Sequence, residues 1–328
     1  MTNPKHGELL SFTSRGPQVL LNGRPVGDTP SGLLTSMPEK QFLYATDLYF
    51  EEAWEEMVDF WPDELTRGHA LHDASFLLLK PDAIARDRAS VATEWLARND
   101  YQVIWRRRMR IDRNTARALW WYQWNFASRG RRELSEFIMS LDQSEMIVVV
   151  RNRTSAVSAS AELSTRKGSS HPANLRETDL RWALGAVDYL SNSVHVPDES
   201  ADLVRELAIL LRADVRRDVL SRLTTPGRPV AVVQHMATDG KTGPSWGITK
   251  HRAESLRTRL GDQVLDDLVT QPTGTSPSIT ELAKDIARTA QAAGIDWNDW
   301  DSALLLTQRF TADRPARTRL LSGPTSRT

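Results

Sequence analysis

The chain has 328 residues, in which 42 lysines and arginines balance 42 aspartates and glutamates. This zero net charge argues against a nucleic-acid-binding or membrane-surface protein, because such proteins usually carry a basic excess. The sequence contains no cysteine, which excludes disulfides, thiolate metal sites and cysteine nucleophiles. With no signal-like N-terminus and no apolar run of roughly 18–20 residues, the protein is expected to be cytoplasmic.

Residues 1–74 form a predicted N-terminal extension. The segment QVLLNGRPV predicts a hairpin that turns at Asn22-Gly23. Residues 41–60 predict a helix with acidic side chains outward and aromatic side chains on one face. The following segment, WPDELTRG, predicts a break in the chain.

Residues 75–212 form the predicted central domain. Apolar runs over 75–80 and 146–150 predict buried strands, partial alternation over 101–111 predicts a strand with one wet face, and a short strand is predicted near 187–190, before His195. Helices are predicted over 89–99, 112–127, 131–141, 154–165, 180–183 and 198–211. This order predicts an α+β protein with a ferredoxin-like βαββαβ core and helices on one face of an antiparallel sheet.

The sequence changes character after residue 212, and residues 213–328 predict a mostly helical C-terminal region. A strand is predicted over 227–233, helices over 249–269, 278–294 and 297–310, and a frayed tail at the end. Gly240-Lys241-Thr242 has part of a phosphate-binding loop pattern. It lacks the earlier glycine of that pattern, so we expect a simple polar turn.

Five short motifs, in order and at matching spacing, resemble the nucleoside diphosphate kinase family over roughly residues 75–211. The family has Lys-Pro-Asp after its first strand, an Asn-Pro-Ala-Asp loop, an arginine ten residues beyond the start of that loop motif, Asn-x-x-His, and a glutamate eleven residues after the histidine. The matching positions here are Lys80-Pro81-Asp82, His171-Pro172-Ala173-Asn174, Arg181, Asn192-Ser193-Val194-His195 and Glu206.

The resemblance implies a phosphotransferase that works through a phosphohistidine at His195. Histidine suits this role because its neutral imidazole is nucleophilic near pH 7, provided that an acidic partner, here Glu206, holds the other ring nitrogen. Lys80 and Arg181 would neutralise the transferring phosphoryl group, and Asn192 with Lys80 would meet the sugar hydroxyls. ATP or another nucleoside triphosphate is the implied donor. Mg²⁺ is expected on its phosphates, held mainly by substrate oxygens rather than by a protein metal site.

Other positions of the family site are changed here. Ser170 keeps the hydroxyl of a family threonine, whereas a phosphate-binding arginine aligns with Ser164, and Arg166 is the candidate to replace it. In the aromatic segment Tyr122, or else Trp121, is expected to orient Lys80. One of Trp120, Trp121 and Trp124 is expected to stack on the base, with core packing as the alternative for this tryptophan cluster. Val196-Pro197 replaces a Gly-Ser pair whose serine helps to hold the glutamate.

Several functions stay open at this point. The first is a specialised phosphotransferase that acts on a nucleotide and a small-molecule acceptor. The others are a non-catalytic nucleotide-binding or scaffold protein, and the same fold recruited to adenylyl or pyrophosphoryl transfer. His195 as a core residue, and His69 with His72 as metal ligands, are weaker alternatives. Resemblance to the family also implies a homo-oligomer, for which we expect a dimer.

Overall fold

The computed structural model describes residues 10–13, 16–21, 24–25, 30–224, 231–233, 250–261, 278–308 and 310. Three short N-terminal strands pair antiparallel in the order β1 (Leu10–Thr13), β2 (Gly16–Leu21) and β3 (Arg24–Pro25). The predicted turn at Asn22-Gly23 lies outside the described residues, although the strands on either side of it do pair.

A five-stranded sheet forms the centre of the protein. Its strands are β4 (Ala74–Leu79), β5 (Tyr101–Met109), β6 (Ser144–Arg151), β7 (Val194–His195) and β8 (Ala231–Val233). Their order across the sheet is β7-β4-β6-β5-β8, and the first four strands pair antiparallel. This is the ferredoxin-like order, so the predicted fold class is confirmed. Strand β8 adds to the sheet by pairing parallel with β5 at Trp105 to Arg107.

Helices connect and cover these strands. They are α5 (Pro81–Ala85), α6 (Ala89–Arg98), α7 (Arg113–Leu119), α8 (Arg129–Ser140), α9 (Ala159–Arg166), α10 (Leu180–Ala183), α11 (Ser200–Leu210) and α12 (Ala213–Leu223), with a 3₁₀ turn at Pro172–Asn174. Strand β7 is shorter and later than expected. Residues 187–190 form a loop instead, in which Asp188 accepts the backbone N–H groups of Leu190 and Ser191, both at 2.7 Å.

Both faces of the sheet are covered, which corrects the expectation of helices on one face. Leu77 and Leu79 of β4 pack with residues of α6 and α9. Phe76 and Leu78 point to the opposite face, where α7, α11 and α12 form a second core together with a helix of the N-terminal extension, α3 (Leu48–Phe60). Every residue of β4 is buried, as the unbroken apolar run requires when both faces are covered.

The second face is covered partly by the N-terminal extension. Its helices are α1 (Pro30–Leu34), α2 (Pro38–Tyr44), α3 (Leu48–Phe60) and α4 (Glu64–Asp73). The single helix predicted over 41–60 is interrupted at Asp47, whose side chain accepts the Phe50 N–H and begins α3. The predicted break is confined to a few residues, because Asp63 caps α4 through Thr66 N at 2.7 Å.

The C-terminal helices pack against α8. They are α13 (Lys250–Leu260), α14 (Ile279–Ala292) and α15 (Asp299–Thr307), and their apolar side chains enclose Leu134 and Ile138 of α8. The predicted polar turn at Gly240-Lys241-Thr242 and the tail lie outside the described residues. No helix in the described part of the chain is long and apolar enough to cross a membrane.

The role of α3 in covering the sheet can be tested by two substitutions on that helix. Met57 is fully buried in the second core, so Met57→Ala should lower the free energy of unfolding by about 2–5 kcal/mol. Leu48 on the same helix is 66 % exposed, and Leu48→Ala should change the stability by less than about 0.5 kcal/mol. Urea unfolding measures both. Equal effects would contradict the packing of α3 against the sheet.

Candidate active site

Lys80 stands where β4 ends and α5 begins. Pro81 opens α5, a position where its missing N–H costs no helical hydrogen bond. The backbone N–H of Lys80 donates to the Ser193 carbonyl at 2.9 Å. The Lys-Pro-Asp motif therefore turns the chain and brings Lys80 beside the segment that leads into His195.

His195 lies on β7, opposite Leu78 of the neighbouring strand β4. The turn before it places Ser193 at φ +71°, a left-handed conformation that is uncommon for a residue other than glycine. The Ser193 hydroxyl donates to Asp82 Oδ2 at 3.2 Å and accepts a bond of 2.8 Å from Arg86. The buried Asp82–Arg86 ion pair thus holds the unusual turn that sets the position of His195.

Glu206 holds one nitrogen of the His195 ring. Its Oε2 lies 2.8 Å from His195 Nε2, and the carboxylate is buried on α11. Burial raises the pKa of the Glu206 carboxyl, and the facing imidazole acts in the opposite direction. The imidazole therefore offsets part of the cost of keeping this buried carboxylate charged.

Trp120 contacts the other nitrogen of the same ring. Its indole Nε1–H donates to His195 Nδ1 at 3.4 Å, and the two rings meet edge to face with centroids 5.5 Å apart. Because an indole N–H can only donate, Nδ1 must be the nitrogen with the free lone pair. The ring proton therefore sits on Nε2, where Glu206 accepts it.

Lys80, Arg181 and Asn192 converge next to this histidine. Lys80 Nζ donates to Asn192 Oδ1 at 2.8 Å and to the Leu190 carbonyl at 3.2 Å. The Arg181 guanidinium donates to the carbonyls of Asn192, Gly168 and Val194 at 2.9–3.2 Å. Arg181 thus fixes the loop around the motif, while Lys80 also lies over the Trp120 ring, 5.7 Å from its centroid.

Burial makes both cations costly to keep charged. Burial lowers the pKa of Lys80 to about 8, although Asp82 opposes this effect. Burial also lowers the pKa of Arg181 to about 10, against the influence of Asp198. An anion in the site would favour the charged forms of both side chains, so the electrostatics suit a phosphate group.

A cavity of about 180 Å³ opens onto these groups. Its lining includes all of the sequence-predicted residues except four, namely Glu206, Arg166, Tyr122 and Trp121. The predicted residues that line it are Lys80, Ser170, Arg181, Asn192 and His195. Glu206 lies behind the histidine ring, as expected for a group that holds it.

Two aromatic residues expected at the site lie elsewhere. Tyr122 is buried in the second core, where its hydroxyl donates to Asp47 Oδ2 at 2.8 Å and where Arg205 lies over its ring. Trp121 is 60 % exposed. Neither lines the cavity, so Tyr122 does not orient Lys80 and Trp121 does not provide a stacking surface there. The aromatic side chain beside both Lys80 and His195 is Trp120.

Arg166 does not replace the missing phosphate-binding arginine. Its guanidinium bonds to Asn99 and Glu162 and lies over the Trp95 ring, at a separate surface cavity. Ser164, which aligns with the family arginine, bonds to Asp198 instead. No group of three or more metal-ligating side chains occurs among the described residues, His69 and His72 included.

Arg131 is a cavity residue that the sequence did not identify. It comes from α8, and its guanidinium bonds to the Tyr189 hydroxyl and lies 4.5 Å from the centre of that ring. Tyr189 also packs against His171. The tryptophan-rich stretch and the several arginines of α8 indicate that this region could contribute to a binding site. Neither feature shows which arginine side chain lines the cavity.

The buried position of Lys80 predicts an unusual pH dependence of its reactivity. Amines acylate only when neutral, so competitive labelling with acetic anhydride should modify Lys80 with a midpoint near pH 8. Unperturbed lysines titrate at about 10.4, and exposed Lys284 serves as the control. Added inorganic phosphate should move the Lys80 midpoint upward. Reactivity of Lys80 that follows Lys284 at every pH would contradict the geometry of the site.

The middle of the chain resembles known proteins. Residues 73–215 match the family model for nucleoside diphosphate kinase. Solved structures that align with the chain include two nucleoside diphosphate kinases. The one from Encephalitozoon cuniculi is 16 % identical, and the alignment covers 42 % of this chain and 88 % of that chain. The one from Aquifex aeolicus is 14 % identical, and the alignment covers 43 % of this chain and 95 % of that chain. Both have a TM-score of 0.37. Among curated protein sequences, none matches. Residues 73–215 are thus similar to nucleoside diphosphate kinases, and their strand order is the ferredoxin-like one.

Proposed function

We propose that this protein is a nucleotide-dependent phosphotransferase that carries the phosphoryl group on Nδ1 of His195. One observation supports this most strongly: Glu206 occupies Nε2, which leaves Nδ1 as the unprotonated ring nitrogen of a histidine that lines the same cavity as Lys80 and Arg181. A histidine held only for packing would not need a buried carboxylate behind it and two cations at the same cavity.

The proposed reaction has two displacements. Nδ1 attacks the terminal phosphorus of a nucleoside triphosphate, the N–P bond forms, and the P–O bond to the nucleoside diphosphate breaks. The ring becomes cationic in this step, and the Glu206 carboxylate balances its charge while the proton stays on Nε2. The second substrate then attacks the phosphorus, the N–P bond breaks, and the ring returns to its neutral form.

Lys80 and Arg181 support the phosphoryl group as its charge develops. Mg²⁺ would neutralise further charge on the nucleotide phosphates. The described side chains at the cavity include no acidic cluster that would bind this ion by itself, so substrate oxygens are the ligands we propose. Ser170 and Asn192 add polar groups for phosphate or sugar oxygens.

Trp120 would have to leave Nδ1 before transfer. Its N–H occupies the lone pair that attacks phosphorus, and the cavity beside it is smaller than the roughly 300–1,000 Å³ typical of small-molecule sites. We therefore propose that the segment carrying Trp120 and Trp124, between α7 and α8, moves when a nucleotide binds. The two indoles stack with centroids 5.2 Å apart, so they would move together.

The small cavity and the occupied Nδ1 also favour a second candidate function, a nucleotide-binding protein without transfer activity. That protein would be stabilised by a nucleotide without forming a phosphohistidine. Adenylyl or pyrophosphoryl transfer would be recognised by its products in mass spectrometry. The small-molecule acceptor, the dimeric state and the cytoplasmic location stay predictions from the sequence.

Labelling by ATP separates the two candidate functions. Incubation with γ-labelled ATP and Mg²⁺ should leave a label that is lost in acid and kept in base, as expected for phosphohistidine. His195→Ala should abolish the label because the nucleophile is gone, and His69→Ala, at an exposed histidine far from the motif, should keep it. A wild-type protein that stays unlabelled, yet melts at a higher temperature with ATP, would support the non-catalytic alternative.

Replacing the indole should expose the nucleophile. Trp120→Phe keeps an aromatic ring but removes the N–H that occupies Nδ1, a hydrogen bond worth about 0.5–1.5 kcal/mol. We expect phosphohistidine to form roughly two- to tenfold faster, measured by rapid-quench labelling. Trp121→Phe, at an exposed neighbour, is the matched control. Slower labelling in Trp120→Phe alone would mean that the indole assists transfer instead of restraining it.

A further inference from the structure

Helix α11 carries more buried charge than its contact with His195 requires. Glu206 touches the histidine, but Asp202 and Arg205 on the same helix are also buried. Their partners come from the N-terminal helices. Lys40 and Asp47, together with Asp202 and Arg205, form a buried set that is called here the α11 ionic cluster.

Lys40 neutralises Asp202 at one end of this cluster. Its Nζ lies 2.7 Å from Asp202 Oδ2 and 3.2 Å from Glu199 Oε2, and its side chain is 1 % exposed. The Tyr44 hydroxyl donates to Asp202 Oδ1 at 2.6 Å. Although burial lowers the pKa of Lys40, the surrounding carboxylates outweigh burial and hold that pKa above its usual value. Lys40 is therefore a fixed positive charge.

Arg205 connects the other end of the cluster to Trp120. Its Nε lies 2.8 Å from Asp47 Oδ2, and its terminal nitrogens donate to the carbonyls of Ala118 at 2.8 Å and Leu119 at 3.3 Å. These carbonyls lie at the C-terminal end of α7, where a helix lacks a full set of internal donors. Arg205 is thus the residue directly before Glu206 on α11. Its side chain caps the C-terminal end of α7, directly before Trp120.

Stability alone is a weak reason for such a cluster. Buried ion pairs often stabilise a fold no better than well-packed apolar side chains, because the cost of desolvation offsets the attraction. Here the pairs surround the helix that carries Glu206, and Arg205 also bonds to the two backbone carbonyls that come directly before Trp120. Their placement is explained if they fix the position and protonation of the groups that contact the His195 ring.

We propose that the N-terminal helices supply positioning residues for the His195–Glu206 pair, with Lys40 neutralising Asp202, which lies one helical turn from Glu206. With Asp202 neutralised, Glu206 stays an anion and accepts the Nε2–H of His195, which leaves Nδ1 free. The idea rests on the proposed role of His195 as a nucleophile. The arrangement of protons can nevertheless be measured without any transfer of phosphate.

The remaining charges near the pair are matched by other partners. Asp198 precedes α11 and is paired with Lys167 at 3.0 Å. Arg205 is paired with Asp47, and Lys80 faces the ring from the cavity side. Removing Lys40 would leave both Asp202 and Glu199 without their cation, and Asp202 is the closer of the two to Glu206 along α11. The His195–Glu206 pair would then take up a proton at a higher pH, and in either protonated form the lone pair on Nδ1 is lost.

The test is a pH titration of the His195 ring by nuclear magnetic resonance, in the full-length protein labelled with ¹⁵N-histidine. His195→Ala identifies the signal among the seven histidines. Lys40→Met should raise the midpoint by about one unit, the effect of one unbalanced neighbouring charge. Lys40→Arg keeps the charge and should leave the midpoint unchanged. Asp202→Asn should lower it, and the double variant Lys40→Met/Asp202→Asn should return it to the wild-type value.

These variants separate positioning from folding. Arg252→Met breaks a comparable pair with Asp301 on the C-terminal helices and should not move the midpoint. If Lys40→Met fails to fold, the downward shift in Asp202→Asn decides the question. A wild-type midpoint in folded Lys40→Met or in Asp202→Asn would overturn the proposal. Failure of ATP labelling would instead count against the transferase and leave these shifts intact.

Discussion

The hydrogen bond between Glu206 and His195 Nε2 is the interaction on which the site depends. At 2.8 Å and out of water, it fixes the ring and decides which nitrogen keeps a lone pair. Two parts of the surrounding fold set the geometry of this hydrogen bond. The left-handed Ser193 and the pairing of β7 with β4 set the position of the histidine, whereas α11, held by the N-terminal helices, sets the position of the glutamate.

The flanking segments of the chain are packed against the central domain. Helix α3 completes its second core, and the C-terminal helices support α8, which lines the cavity.

Much of this site could be predicted because its residues are fixed by short stretches of chain. Lys80 ends a buried strand, and Arg181, Asn192, His195 and Glu206 follow one another at spacings that the loop, β7 and α11 preserve. The structure brings these five residues together, although their chemical roles stay predictions. The strand order of the core was also predictable, since the alternation of apolar runs and helices leaves few connections open.

The rest depended on contacts between distant segments. Tyr122 is drawn into the core by Asp47 and Arg205, which the sequence places far from it on either side. Arg166 is held by Asn99 and Glu162, so its position two residues from the aligned arginine was misleading. The prediction of helices on one face of the sheet was wrong for the same reason, since the core around Phe76 and Leu78 is completed by α3 of the N-terminal extension, which lies outside the βαββαβ pattern. Which of the three neighbouring tryptophans contacts the histidine also depends on distant segments, since Trp120 directly follows the end of α7 that Arg205 caps.

The most direct test of Nδ1 as the nucleophile is to identify the nitrogen of the His195 ring that carries the phosphoryl group. After brief incubation with ATP and Mg²⁺, nuclear magnetic resonance of the ¹⁵N-histidine-labelled protein can determine which ring nitrogen of His195 is bonded to phosphorus. Because Glu206 occupies Nε2, we expect the phosphoryl group on Nδ1. A phosphoryl group on Nε2 would contradict it, since the carboxylate that is said to hold the ring would then stand in the place of the transferred group.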